Sequence, residues 1–360
     1  MAYIKNFETP EHRHNRMSNA PKSNYSALDN STVKPKTTSQ QNFFNSHIKQ
    51  YTEFISWCRW YPDLFLDLIK PKTGGINLHF DQRVFLRCIC RFVSIYGVFP
   101  RGWGKTWGEV ISMFIIAVLY PGITMSLTAQ TKANAAELLK DKYDEITRQY
   151  PLLKNEMLKP RIAKDDFELS FVNGSRIDVL ANAQSSKGQR RNRIQIEESA
   201  LIDNFTFEDA LKPIVEIGRT TSGKLGVVDP LELNQQINFF TTSGFRGSDE
   251  WARSVQMYKD MVDLKGEIVL GSGWMLGCWM GRGSNKSQIL KKKRDTGSVA
   301  FARNYEEKWV GAVDNQLVDI KKLLKTRTLT EPILDNIDNK REIILGVDVL
   351  VPLIMLITKQ

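Results

Sequence analysis

Arg101-Gly102-Trp103-Gly104-Lys105-Thr106 is the segment of this chain whose residue types and spacing are best suited to chemistry. It follows an apolar run at 92–99 and precedes a helical pattern at 107–120. A strand that ends in a Gly-Lys-Thr turn and passes into a helix aims backbone N–H groups and the positive end of the helix dipole at one point, which suits a phosphate. In that geometry Lys105 reaches the β- and γ-phosphates of a nucleotide, and the Thr106 hydroxyl holds Mg²⁺. The standard phosphate-loop pattern has a glycine five positions before Gly104. Phe99 stands there, so Gly102 and Pro100 must shape the loop. The competing reading is an ordinary βα turn with a lysine at a helix start.

A second motif lies one βα unit later. Residues 193–196 read as an apolar strand that ends in Glu197-Glu198. Two adjacent carboxylates can divide the work of phosphoryl transfer to water. Glu197 orients Mg²⁺ and its waters, and Glu198 polarises the attacking water. The first acid is more usually aspartate, but the longer side chain still reaches metal-bound water. Alone, the pair also reads as a solvated helix start. Phosphate loop and acid pair support each other, because the reaction needs a phosphate cradle at one strand end and the metal and water acids at another. Thr241-Thr242-Ser243 ends a further predicted strand. Its hydroxyls suit sensing of the γ-phosphate and relay of its loss, or simply a turn cap.

The composition narrows the choices. The formal charge of +10 over 360 residues is compatible with a polyanionic partner such as nucleic acid. Cys58, Cys88, Cys90 and Cys278 fit no zinc template and no disulfide framework, which points to a reducing cytoplasm. All four histidines (His12, His14, His47, His79) precede residue 80. Chemistry downstream therefore excludes Ser-His triads and most zinc hydrolases. The N-terminus has no signal pattern. The apolar stretch 343–357 contains Asp348 and Pro352 and is too short to span a membrane, so the chain reads as soluble with no membrane partner.

The elements that must position these motifs are also legible. Residues 46–70 have aromatic, helical spacing. The next helix opens near Leu78, with Val84, Phe85, Cys88 and Ile89 as its buried face. A short strand at 123–128 precedes an amphipathic helix at 132–149. Strands at 167–172 and 176–180 flank the turn Asn173-Gly174. A helix is predicted at 208–217 and a strand at 237–240. Beyond 248 come a helix at 251–264, a strand at 267–270, a basic segment at 286–294 and a helix at 314–324. Strands alternating with helices predict an α/β fold with a mainly parallel sheet and helices on both faces.

With these motifs in order, the chain resembles the large terminase subunit of tailed bacteriophages over about residues 75–345. The resemblance rests on Gln82 ahead of the loop, the arginine-led loop Arg101–Thr106, the segment Leu127-Thr128-Ala129-Gln130-Thr131, the acid pair and the Thr-Thr-Ser element. It implies a P-loop NTPase fold of the RecA/ASCE type with a small lid subdomain. It further implies that Gln82 reads the adenine edge and that Arg101 contacts phosphate. A plain surface glutamine is the other reading of Gln82. Related ATPases carry, before the acid strand, an arginine that completes a neighbour's site. Lys187 holds that spacing here, with Arg190 and Arg191 close by, and a basic loop that touches DNA is the alternative. The domain expectation is a mobile polar arm at 1–45, an ATPase core at 46–247, a lid at 248–340 and, at 341–360, the truncated start of an RNase H-like nuclease. The strand ending at Asp348 matches the nuclease's first strand, but no further acid follows it. Nuclease activity is therefore not expected, as in a decaying prophage gene or a gene whose nuclease half is a separate chain.

The function implied is Mg²⁺-dependent ATP hydrolysis that drives double-stranded DNA into a procapsid. The partners implied are a homo-oligomeric ring, a portal protein and a small terminase subunit, in the cytoplasm of a bacterial host and transiently at the portal. The rival readings are a catalytically degraded remnant or DNA-binding scaffold, and a helicase-like ATPase.

Overall fold

The computed structural model describes residues 38–219, 233, 235–281, 285–311, 344–345 and 358–359. Most of the expected polar arm at 1–45, the helix expected at 314–324, and Asp348 lie outside these residues. The chain divides into a unit spanning Met1–Gly311 and a second spanning Ala312–Gln360. In the second, Ile344–Leu345 pairs antiparallel with Thr358–Lys359.

The first unit is built on one twisted sheet of eight strands in the order β3-β4-β5-β2-β6-β7-β1-β8. The strands are β1 Ser94–Val98, β2 Thr124–Ala129, β3 Arg161–Ala163, β4 Asp166–Ser170, β5 Arg176–Ala181, β6 Arg193–Glu197, β7 Gln236–Thr241 and β8 Glu267–Gly271. From β5 to β8 every pairing is parallel. The hairpin β4–β5 and the short β3 are antiparallel additions at one edge. Gly174 turns the hairpin with φ +84°, a left-handed position that favours glycine. The sheet does not stop at the expected core boundary of 247. The strand at 267–271 is its other edge, in register with β1 from Ser94↔Glu267 to Val98↔Gly271.

Alternation along the strands sends side chains into two cores, one on each face. Ile95, Met125, Leu127, Ile177, Val179 and Phe240 pack in one core. That core includes residues of helices α4 (Phe80–Arg91), α5 (Lys105–Leu119) and α6 (Lys132–Gln149). Ahead of α4, the aromatic segment forms α1 Thr38–Ser46, α2 Ile48–Trp60 and α3 Pro62–Ile69. Pro62 at the first turn of α3 explains the break, since proline has no N–H to continue α2. Tyr96, Ile194, Ile196, Ile237 and Phe239 form the other core, with Phe207, Leu211 and Ile214 from a short irregular helical stretch and Met257 from α7 (Asp249–Val262). The expected regular helix at 208–217 is instead a π turn at Phe207–Leu211 followed by a 3₁₀ turn at Lys212–Val215. Pro213 lacks the N–H that a continuous α-helix would need there.

Helix α5 is buried on almost every side, from Trp107 through Ala117. It therefore cannot roll, and its first turn is held where the loop after β1 delivers it. Gly97, in the middle of β1, is required by the aromatic packing beside it. A Cβ at that position would sit 2.7 Å from the Phe240 ring and 2.8 Å from the Phe99 ring. We expect Gly97→Ala to destabilise the protein by about 1–3 kcal/mol through overpacking, measured by urea denaturation. A stability unchanged from wild type would show that the rings are free to move aside.

Candidate functional site: a phosphate-loop crevice

The loop that links β1 to α5 is a tight aromatic-braced turn. Gly102 and Gly104 both have φ +84°, where a Cβ would be strained. Between them Trp103 is buried, stacked on Phe99 with ring centroids 4.0 Å apart and edge-on to Phe85 at 5.4 Å. Phe99 thus does with a ring what the missing glycine does by flexibility: it fixes the entry of the loop. Trp103 is an anchor pointing inward, and Arg101 at the loop's crest is exposed. The Arg101 backbone N–H donates to the carbonyl of Asn304, 3.0 Å away.

Strand order decides what this loop faces. β7 lies between β1 and β6, so β1 and β6 are separated by two inter-strand spacings of about 4.8 Å each. A lysine side chain crosses that gap. Lys105 Nζ donates to Glu197 Oε2 at 2.7 Å, and Thr106 Oγ1 donates to Glu197 Oε1 at 2.7 Å. Loop, helix start and acid strand therefore converge on one point, and the Glu side chain is long enough to engage both partners. Burial pushes the Glu197 carboxyl up, but the charge of Lys105 and the hydrogen bonds it accepts outweigh that and hold it below the ordinary carboxylate range. Burial likewise opposes the charge on Lys105, but Glu197 and Glu109 hold its ammonium above the usual lysine value.

Glu109 is not visible as a site residue in the sequence, where it is one acid in an apolar helix. It lies one turn after Lys105 on α5 and is fully buried. Burial first, then the negative charge of Glu197, pushes its carboxyl well above the usual range. Glu198 is the opposite case. It is exposed, and its backbone is left-handed with φ 54° and ψ 43°. Such a conformation costs a non-glycine residue about 1 kcal/mol. The buried Ser199 next to it fixes the turn by donating to Glu250 on α7, which is in turn paired with Arg253.

These residues line a crevice of about 470 Å³ at the C-terminal ends of the parallel strands. Arg101, Gly102, Trp103, Gly104, Lys105, Thr106, Glu197, Glu198, Thr241 and Thr242 all contribute to its wall, as do Lys142, Arg303 and Asn304. The structure thus gathers most of the sequence-predicted residues. Ser243 is buried just behind the wall, its backbone N–H donating to Glu307 Oε2 at 3.1 Å. Burial pushes the Glu307 carboxyl up to about 8, which favours its protonated form at pH 7. Gln82 does not line the crevice. Its Oε1 accepts the backbone N–H of His79 at 3.0 Å, closing the first turn of α4. An apolar pocket of about 400 Å³ adjoins the loop through Phe99 and Trp103 and is otherwise lined by Phe80, Val84, Leu276 and Trp279 among others.

The basic segment before β6 splits. Arg191 is buried and committed to Asp178, with Nε 3.0 Å from Oδ1. It sits at the start of β6, whose other end carries Glu197, so it is removed from the set of trans-acting candidates. Lys187 is exposed and pairs with Asp209 at 2.7 Å, and Arg190 is exposed. Among the described residues no group of three or more His, Cys, Asp or Glu side chains is placed to hold a metal ion. Thr106 and Glu197 offer hard oxygen donors at one point, which fits Mg²⁺ carried largely by phosphate and water.

No family model matches the chain, and no curated protein does. The large terminase of bacteriophage HK97 matches in three dimensions with a TM-score of 0.50 and 13% identity, over 68% of this chain and 54% of that one. This chain has the fold of part of a phage large terminase. The large-terminase ATPase domain of Thermus phage P74-26 is also similar, with a TM-score of 0.48, 13% identity, and coverage of 69% of this chain and 98% of that domain. The large terminase of another thermophilic bacteriophage, in complex with ADP, gives a TM-score of 0.46 and 12% identity, over 65% of this chain and 54% of that one.

The buried pair and the exposed acid differ in what their loss does to folding. Lys105→Ala strips Glu197 of its cation, and we expect a loss of about 3 kcal/mol of stability. Glu198→Gln changes an exposed group and is expected to stay within about 0.5 kcal/mol of wild type. Guanidinium denaturation of both variants checks this. Equal stability for the two would show that the Lys105–Glu197 pair contributes nothing to the fold.

Proposed function

We propose that the chain is a Mg²⁺-dependent ATPase and the motor subunit of a phage-type DNA-packaging terminase. The observation that carries this reading is the convergence of Lys105, Thr106 and Glu197 on one crevice, with Glu198 exposed beside them. Without nucleotide, Glu197 neutralises Lys105. A triphosphate offers Lys105 a larger negative charge, and the lysine then turns to the β- and γ-phosphates while Arg101 reaches phosphate oxygens from the loop's crest. Thr106 and Glu197 would hold Mg²⁺, which when bound neutralises charge building on the bridging oxygens. Glu198 accepts a proton from the attacking water. The water oxygen bonds to the γ-phosphorus, the bond to the β-phosphate oxygen breaks, and ADP leaves with that electron pair.

The apolar pocket beside Phe99 and Trp103 has the dimensions and the flat aromatic wall for an adenine base. Gln82 does not line this pocket, so for it to read the adenine edge its side chain would have to leave the cap on His79. Thr241 and Thr242 would feel the loss of γ-phosphate and pass it through Ser243 to the segment 303–308. DNA would be held by backbone charge, weakly dependent on sequence and strongly on salt. A ring of subunits would let Lys187 or Arg190 complete a neighbour's site, on a portal and with a small subunit to select DNA, in a bacterial cytoplasm. The division into arm, core, lid and nuclease remnant, with Asp348 in the last, belongs to the same proposal. The replacement of glycine by Phe99 favours a working loop over a decayed one, because the ring is packed into a specific brace.

Turnover tests the reading. We expect ATP hydrolysis that rises more steeply than linearly with protein concentration, and we expect Glu198→Gln to retain nucleotide binding while losing hydrolysis by at least about 10²-fold. Nucleotide binding without turnover in the wild type, with DNA and portal present, would instead support the non-catalytic scaffold. Wild-type turnover in Glu198→Gln would remove Glu198 from the mechanism.

A further inference from the structure

The geometry points to Arg303 as a second, cis-acting phosphate contact that distinguishes a nucleoside triphosphate from a diphosphate. The inference rests on the reading of the crevice as a triphosphate site and adds a residue that no sequence motif marks. Arg303 lies near the end of a short helix, α8 (Ser298–Asn304), far along the chain from the phosphate loop. It nonetheless forms part of the same crevice wall as Lys105, Thr106, Glu197 and Thr242.

Its guanidinium is positioned and not neutralised. The plane lies over the Phe245 ring with Cζ 4.2 Å from the centroid, and Nε donates to the Ser243 carbonyl at 3.2 Å. That leaves the two Nη groups as a planar fork of donors, the arrangement that best matches phosphate oxygens. Among the described residues no carboxylate forms an ion pair with Arg303, whereas Lys105 has Glu197 at 2.7 Å and Lys142 has Glu145 at 2.6 Å. A cation that lines an anion-sized crevice without a carboxylate is available to a ligand at no cost of breaking a pair.

The same residue is knotted into the elements that must move. The Ser243 hydroxyl is shared between the carbonyls of Arg303 and Lys308, at 3.0 and 2.9 Å. Asn304 receives the N–H of Arg101 from the phosphate loop. A pull on the Arg303 guanidinium by a γ-phosphate is therefore transmitted directly to Ser243 and to the loop. A diphosphate, lacking that group, leaves Arg303 on Ser243.

The test uses the full chain. Affinities for ATP and ADP are measured by calorimetry with Mg²⁺ in a Glu198→Gln background, where ATP persists, with and without Arg303→Ala. A second pair carries Arg303→Gln, which keeps a stem over Phe245 and a donor for Ser243 while removing the charge. Turnover is measured in the native background. We expect both substitutions to weaken ATP about tenfold, to leave ADP unchanged, and to lower kcat by about 10²-fold, with Arg303→Lys partly restoring kcat. Equal weakening of ATP and ADP, or no change in either, would overturn the inference, because a merely structural arginine has no reason to tell them apart. Failure of the parent Glu198→Gln protein to bind any nucleotide would refute the crevice reading itself, independently of Arg303.

Discussion

The ion pair between Lys105 and Glu197 is the interaction on which the rest of the architecture depends. Its two members come from different strand ends with a third strand between them, so it forms only if β1, β7 and β6 lie side by side in that order. Everything that fixes those strands fixes the pair. Phe240 and Phe85 pack under β1, Asn238 on β7 accepts the N–H of Ile95 from β1 at 3.0 Å, and Gln195 on β6 donates to Ser112 on α5 at 3.0 Å. The last two are polar contacts inside the sheet and under the helix. They give the sheet one register, where purely apolar contacts would tolerate slippage.

Electrostatics explain why so charged a crevice can be built into a folded protein. Two ionised carboxylates beside each other would repel, and burial would penalise both. The protein favours the charged form of Glu197 by giving it Lys105 and Thr106, and disfavours the charged form of Glu109 by enclosing it. Burial raises Glu307 in the same way. The wall that remains is dominated by cations with few competing anions, which is the field a triphosphate needs. Two acids near the crevice take the left-handed backbone, Glu198 and Glu307, both with φ 54°, and the buried Ser199–Glu250–Arg253 chain supports the first.

Much of this is legible in the sequence, and what is not has identifiable causes. The loop, the acid pair and the hydroxyl triplet each end an apolar strand, and apolar runs with sharp ends are what sequence patterns report well. Helix 132–149 and the hairpin at Asn173-Gly174 are equally clear, one from periodicity and the other from turn chemistry. Glu109 is hidden because a single acid in an apolar helix has no local signature; only the fold shows that it faces Glu197. Arg303 is hidden because its neighbours in space come from segments remote in sequence. Arg191 misleads for the converse reason. It stands close in sequence to Lys187, but it ends at the start of β6, where Asp178 takes it. The strand at 267–271 reads as a strand but falls beyond the expected core, because nothing in a short edge strand says which sheet it joins.

The central claim is that the lysine and the two acids serve one bound triphosphate. The most direct measurement is a crystal structure with Mg²⁺ and a non-hydrolysable ATP analogue. We expect Lys105 to have left Glu197 for the phosphates, with Glu198 facing the γ-phosphorus across one water. A nucleotide bound elsewhere, or seated in the crevice while the 2.7 Å contact between Lys105 and Glu197 persists unchanged, would contradict it.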